Sequence, residues 1–326
     1  MRPDPDGDEP ARTWASYYVQ YFHRRMGRAL ASGRVKLPNV MFVYNTDDNA
    51  PRFGAPDRNL PVPLLSLVKS AGLTDGDDLD VLVPQMFQVH NSHYTTPWHL
   101  KTDRAFFRGI GFCSDQWRAR YPACPDPCAR TFLSYLSERD RQAGNASALD
   151  VGLVETWKHR DPTPSKSCLP YDLPVLDRVP LGNHSSYKWL LQMEGITASN
   201  RLGLLMLVNS VVVMQRSYWL EYFYRSVKPW VHYVPFWNST APDGRPLGMD
   251  DVYGTLDELR RLDRERPEAL QRIVAAANEF AVRYLTPYGR ALYYQSALSA
   301  YKSLFPDMDS FVESFVGRMR AAGWRI

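Results

Sequence analysis

Apolar and aromatic side chains recur at Trp14, Tyr17, Tyr18, Tyr21, Phe22, Met26 and Leu30, with Arg and His on the opposite face, which predicts an amphipathic helix over residues 12–31. The texture then changes. VMFVYN (40–45), VPLLSLV (62–68) and DVLVPQM (80–86) are short apolar runs bounded by Pro, Gly, Asn and Asp, the pattern of strands buried on both faces. A second series follows in AFFRG (105–109), VGLVETW (151–157), YKWLLQM (187–193), SVVVMQ (210–215) and WVHYVPF (230–236), with helical stretches near 130–142 and 199–208 between its members. Strand alternating with helix implies crossover connections and a parallel sheet, and two such series imply two Rossmann-like halves. From Asp250 onward the period is helical throughout, over 250–264, 267–285, 287–304 and 308–322, with Pro267, Pro287 and Pro306 near the breaks.

Composition narrows the function classes. With 326 residues, 44% hydrophobic and 23% charged, the chain can bury a sizeable core. Its net charge of +4 is too mild to point to nucleic acid. The longest greasy stretch, Leu202 to Met214, is interrupted by Asn209 and Ser210 and is too short to span a bilayer. MRPDPDGDEP at the start has no apolar core and does not read as a secretory signal. Three sequons, at Asn145, Asn183 and Asn238, lean weakly toward a lumenal protein. Cys113, Cys124, Cys128 and Cys168 permit three disulfide pairings, and no His partner stands at a zinc-like spacing.

The chemistry concentrates in KWLLQMEGITASNRLGLL (188–205). A strand, Gly195 at its end and a helix starting near Ala198 or Ser199 would present unpaired backbone N–H groups to an anion. Thr197 or Ser199 could cap that helix. Arg201, a cation in a first turn, opposes the helix dipole unless an anion compensates it, and a phosphate would do so. The alternative is a plain crossover helix with Arg201 paired to Glu194 or reaching solvent; spacing alone weights the two about equally. The Asp47–Asp48 pair reads from spacing as a solvated strand-end turn. Asp75-Gly-Asp77 and Asp307-Met-Asp309 read as caps or turns rather than metal ligands. The aromatics Trp219, Tyr222, Phe223, Trp230 and Tyr233 read as packing, His232 as a core histidine on a buried strand, and His90, His93 and His99 as a loop group.

KWLLQMEGITASNRL and SVVVMQRSYWLEYFYRSVKPWVHYVPF, preceded in order by LPNVMFVYNTDDNAP and KTDRAFFRG, resemble the CAP10-type glycosyltransferases, glycosyltransferase family 90, which include Rumi-type protein O-glucosyltransferases and capsule-associated xylosyltransferases. The resemblance runs from about Leu37 to about Leu304. It implies an α/β GT-B fold: two Rossmann-like domains, a cleft between them, and C-terminal helices crossing back to the first domain. The implied division is an acceptor domain over 1–103, rejoined by helices at about 287–326, and a UDP-sugar domain over 104–286.

The family's activity implies inverting transfer of glucose or xylose from UDP-glucose or UDP-xylose to a protein or glycan acceptor, with no metal or other cofactor, in the lumen of the endoplasmic reticulum or Golgi. Carried over by position, Asp48 corresponds to the catalytic base, with Asp47 as fallback. Ile196, Thr197, Ala198, Ser199, Asn200 and Arg201 correspond to the diphosphate-binding helix start, with Arg201 on the leaving group, and Gly195 before them to a UDP-sugar contact. Arg108, with Arg118 or Arg120 in the following loop, and Glu221 correspond to further donor contacts. Two loops depart from the family pattern: Asn49 and Ala50 separate the acid from Pro51, and Ile110 and Gly111 follow Arg108-Gly109. A silent relative that binds nucleotide-sugar or glycan without turnover is the alternative reading.

Overall fold

The protein is described from a computed structural model covering residues 14–46, 64–70, 80–87, 89, 91–112, 128–145, 148–155, 173–217, 219–237 and 251–324. In chain order its principal elements are α1 (Trp14–Ala31), β1 (Tyr44–Asn45), β2 (Leu65–Ser66), β3 (Val81–Leu82), β4 (Thr102–Ile110), α2 (Ala129–Gln142), β5 (Leu149–Glu155), β6 (Tyr187–Gln192), α3 (Arg201–Leu205), β7 (Val211–Gln215), β8 (Val234–Phe236), α4 (Asp251–Glu265), α5 (Pro267–Phe280), α6 (Pro287–Lys302) and α7 (Met308–Ala321). Contacts divide the chain into two compact units, one of Met1–Val89 with Tyr284–Ile326 and the other of His90–Arg283.

The first unit holds a parallel sheet in the order β1-β2-β3, with Leu65 opposite both Tyr44 and Val81. Its core joins Met26 of α1, Leu65, Val83 and Met86 to Ala291, Tyr294 and Leu298 of α6. Buried main-chain carbonyls need donors, and α6 supplies them: Tyr294 Oη donates to Pro84 O at 2.8 Å and Arg290 Nη1 to Gln85 O at 2.7 Å. The ladders are shorter than the apolar runs that predicted them. Val40, Met41 and Phe42 pack against the core, but the Met41 amide meets Met308 Sδ at 3.4 Å instead of a neighbouring strand. On the third run, Val83 N donates to Ser66 O at 2.9 Å and the following Pro84 has no N–H to continue the ladder.

The second unit is built on a five-stranded, wholly parallel sheet in the order β8-β7-β6-β4-β5. These strands are long where the sequence is continuously apolar. Trp189, Leu190, Leu191, Val211, Val212 and Val213 are all buried, as parallel strands covered on both faces require. Phe107, Trp189, Val211 and Val234 join the α2, α4 and α5 side chains Leu133, Leu256 and Ile273 in one core.

Three sequence expectations need correction here. The helix expected over 199–208 is α3, limited to Arg201–Leu205, and neither Thr197 nor Ser199 caps it: Asn200 stands at the cap position without a side-chain bond. The strand expected over 230–236 is confined to Val234–Phe236, because Trp230 takes φ 60° and the chain turns back, Trp230 N donating to Tyr233 O at 2.7 Å. Trp230 is therefore exposed rather than packed, and His232 lies in that turn, its Nδ1 accepting from Lys228 N at 3.0 Å. The helix expected over 267–285 ends at Phe280 and continues as a π-helical turn through Leu285. Pro267 and Pro287 begin α5 and α6, where a missing N–H costs nothing, and Thr286 Oγ1 caps α6 by accepting from Gly289 N at 3.2 Å.

Candidate functional site

Parallel strands deliver their carboxyl ends to one edge of the sheet, the usual ligand edge of open α/β folds. At this edge β4 ends in Arg108, Gly109 and Ile110, β6 in Gln192, and β7 in Gln215. The chain leaving β6 makes a compact turn over residues 193–200. Gly195 N donates to Thr197 O at 2.9 Å, Gln192 Nε2 holds Ser199 O at 2.9 Å, and Gln215 Oε1 accepts from Glu194 N at 3.0 Å. The main-chain N–H groups of residues 196–200 meet no protein acceptor among the described residues.

Two guanidinium groups stand at this strand-end edge, that of Arg130 against the turn and that of Arg201 against the end of β4. Arg201 Nη1 donates to Arg108 O at 2.7 Å, and its Cζ lies 4.6 Å from the Phe107 ring centroid. Arg130, from the first turn of α2, donates through Nη1 to Ile110 O at 2.9 Å and through Nη2 to Met193 O at 3.2 Å and Ser199 Oγ at 3.3 Å. Its Cζ is 5.4 Å from the same Phe107 ring. Among the described residues neither arginine forms an ion pair. Burial pushes Arg130 down to about 9, Arg201's charge adds to the fall and Glu194's opposes it; burial alone pushes Arg201 down to about 10. Both remain cationic near neutrality. The site therefore holds positive charge solvated mainly by carbonyl oxygens, which an anion would stabilise.

Glycines make room for these side chains. A Cβ on Gly109 would lie 2.6 Å from Phe107 Cζ and 3.0 Å from Arg201 Nη2; one on Gly195 would lie 3.3 Å from Arg130 Nη2. Since α3 is a single short turn, the positive field comes from the two guanidiniums and the free amides, more than from a helix dipole.

Of the positions carried over from the family, Gly195 to Arg201 are together in the turn. The Arg108 guanidinium points elsewhere: it is bound to the Asp150 side chain at 2.5 Å, to Asp150 O at 2.8 Å and to Phe107 O at 2.9 Å, so only its carbonyl faces Arg201. Glu221 is buried near the turn and engages Tyr224, whose hydroxyl donates to Ser199 O at 3.4 Å. Glu194 is also buried and accepts from the Ser217 hydroxyl rather than pairing with Arg201. Asp47, Asp48, Arg118 and Arg120 lie outside the described residues, as do His90, Asp75 and Asp77. Asp307 occupies the cap position of α7, and Asp309 binds Lys302 at 2.5 Å. Arg130 escaped the sequence reading, although it carries the signal noted at Arg201, a cation in the first turn of a helix.

Beside the turn lies a cavity of about 310 Å³ lined by Gln215, Arg216, Ser217, Trp219, Tyr224, Trp230, Tyr233 and Pro235. Gln215 is 2% exposed, and its Nε2 has no hydrogen-bond partner among the described residues. Cys128, one residue before α2, is disulfide-bonded. No helix among the described residues is long and apolar enough to cross a membrane.

Strand order and site together define an α/β protein with a parallel sheet and a cationic strand-end turn. The family model described as Glycosyl transferase family 90 matches residues 169–309. Protein O-glucosyltransferase 1 of Rattus norvegicus is 27% identical over 63% of this chain and 43% of its own length; O-glucosyltransferase rumi of Drosophila melanogaster is 34% identical over 43% and 28%. Protein O-glucosyltransferase 2 of Danio rerio is 25% identical over 83% of this chain and 49% of its own. By its sequence the chain is similar to the Rumi-like O-glucosyltransferases, and over residues 169–309 to glycosyltransferase family 90. It spans less than half the length of these relatives. Among solved structures, a glycosyltransferase from Rickettsia africae aligns over 92% of this chain and 84% of its own with a TM-score of 0.41 and 7% identity, and Anabaena Alr3699/HepE in complex with UDP and glucose over 68% and 57% with 0.38 and 10%. Likeness at that level leaves the fold to be read from the strands and helices themselves.

Proposed function

We propose that the protein is an inverting, UDP-sugar-dependent glycosyltransferase of GT-B type, in which the second unit binds the donor and the first supplies the base, Asp48 with Asp47 as fallback. The observation that supports it most is a turn whose amides over 196–200 meet no protein acceptor among the described residues, with Arg130 bound to its Ser199 and Arg201 bound to the adjoining strand end, neither ion-paired among those residues. That arrangement suits a diphosphate leaving group, whose developing charge it would stabilise without a metal. The adjoining aromatic cavity, with Gln215 in its wall and the Gln215 Nε2 without a partner among the described residues, suits the nucleoside. Glucose or xylose is the proposed sugar and a protein or glycan hydroxyl the acceptor. The disulfide at Cys128 accords with an oxidising compartment, the lumen of the endoplasmic reticulum or Golgi.

A mass-detected transfer and donor-hydrolysis assay with UDP-glucose and UDP-xylose tests this reading. Turnover in the parent protein and a loss of about 10²-fold or more in Asp48→Asn are expected for a general base. Full activity in that variant and in Asp47→Asn would remove both acids from the role. UDP binding with no turnover would leave a silent relative instead.

A further inference from the structure

The first unit contains a buried carboxylate that the proposed reaction does not use. Asp80 is 2% exposed, directly before β3, in a sheet whose neighbouring Leu65 and Val83 are fully buried. A carboxylate in such surroundings is costly unless hydrogen-bonded, so its bonds show what it holds. Ser66, fully buried at the end of β2, donates its hydroxyl to Asp80 Oδ2 at 2.6 Å. The Ser66 oxygen in turn accepts from Asn45 Nδ2 at 3.4 Å. Asn45 is the last residue of β1 and stands two residues before Asp47 and three before Asp48.

A hydroxyl that has given its proton to a carboxylate is a better acceptor, so the two bonds reinforce each other. Their effect is to tie the side chain at the end of one parallel strand, through the middle strand, to a buried carboxyl group beside the third. We propose that Asp80, acting through Ser66 on Asn45, is a positioning residue for the reaction, holding the strand end from which the chain continues to Asp47 and Asp48. The inference rests on the reading of those acids as the base. Asp80 itself is too enclosed to touch a substrate.

The test uses the full chain in three variants, Ser66→Ala, Ser66→Thr and Asp80→Asn, with Asp48→Asn measured alongside. In Ser66→Ala and Asp80→Asn, kcat is expected to fall 10- to 100-fold while the donor KM and the UDP Kd stay within twofold, because the donor turn belongs to the other unit. Ser66→Thr keeps the hydroxyl and should restore most of kcat. Independently of turnover, hydrogen–deuterium exchange should quicken in peptides covering residues 44–50 of Ser66→Ala, and not in those covering β7. Unchanged exchange there, a kcat within twofold of the parent, or an equal loss in UDP affinity would each overturn the relay. So would a parent protein that turns over no donor, since the relay would have no reaction to serve. Full activity in Ser66→Ala beside an inactive Asp48→Asn would defeat the relay and leave the base in place. Full activity in Asp48→Asn and Asp47→Asn would defeat the base itself.

Discussion

Arg201 donates from Nη1 to the main-chain oxygen of Arg108 at 2.7 Å, so a side chain from the turn after β6 fixes the end of the neighbouring strand β4. That bond uses one arm of the guanidinium, and the other nitrogens have no protein acceptor among the described residues. Arg201→Lys retains a charge but loses the planar fork. If the free arm serves a phosphate, the variant should lose a charge-assisted bond of about 1.5–3 kcal/mol, a weakening of UDP affinity of roughly 10- to 150-fold by titration calorimetry. An unchanged Kd would assign Arg201 to bracing β4 alone.

Arg130 allows a cleaner separation of structure from binding. Removing Arg130 leaves the carbonyls of Ile110 and Met193 short of a donor, at about 1–3 kcal/mol for each one left unsatisfied. Arg130→Met should therefore lower the thermal midpoint, and if the guanidinium also serves an anion, UDP affinity should fall at least tenfold. If Arg130 only braces those carbonyls, the midpoint should drop while UDP affinity stays within twofold.

Glu194 is the counterweight. Its buried carboxylate lies close enough to raise Arg130's affinity for its proton, and it accepts from the Ser217 hydroxyl. In a diphosphate site it repels the ligand. Glu194→Gln keeps the shape and an acceptor for Ser217, and should tighten UDP several-fold in the same titration. Weaker binding in that variant would show Glu194 to be organising the turn rather than opposing the ligand.

Much of the second unit was legible because its strands are continuously apolar and bounded by breakers. AFFRG, YKWLLQM and SVVVMQ all lie within or overlap observed strands, and the 130–142 helix differs from α2 by one residue at its start. What escaped was set by partners distant in sequence. The period of WVHYVPF cannot show that Trp230 takes a left-handed conformation, nor can VMFVYN show that the Met41 amide finds a sulfur in α7. Arg130 reads locally as a polar position on an amphipathic helix; only the packing of Phe107 and Phe112 beneath it shows its depth. The Arg108 side chain was misdirected by the same limitation, since Asp150, on the adjacent strand β5, claims it.

Gly109 tests whether close packing sets the position of Arg201. In Gly109→Ala the new methyl would meet Phe107 Cζ at 2.6 Å and Arg201 Nη2 at 3.0 Å, so both side chains must move. Overpacking of this kind costs about 1–3 kcal/mol. The expected outcome is a lowered thermal midpoint together with weaker UDP binding. A lowered midpoint with unchanged affinity would mean that Phe107 yields and Arg201 keeps its place.

His184 should govern part of the acid sensitivity. Its ring is buried, edge-on to Phe106 at 4.9 Å, with Val179 O 3.4 Å from Nε2. Burial first, and the charges of Arg201 and Arg108 with it, push its pKa down to about 4, while the bond to Val179 opposes the shift. The unfolded chain binds this proton below pH 6.5 and the folded chain only near 4, so in that window the unfolded state carries more protons and stability falls as pH falls. The loss approaches at most about 1.4 kcal/mol per pH unit. Denaturant unfolding between pH 4 and 7 should give a shallower pH slope in His184→Gln than in the parent. Parallel slopes would mean that the imidazole is protonated, or solvated, in the folded protein.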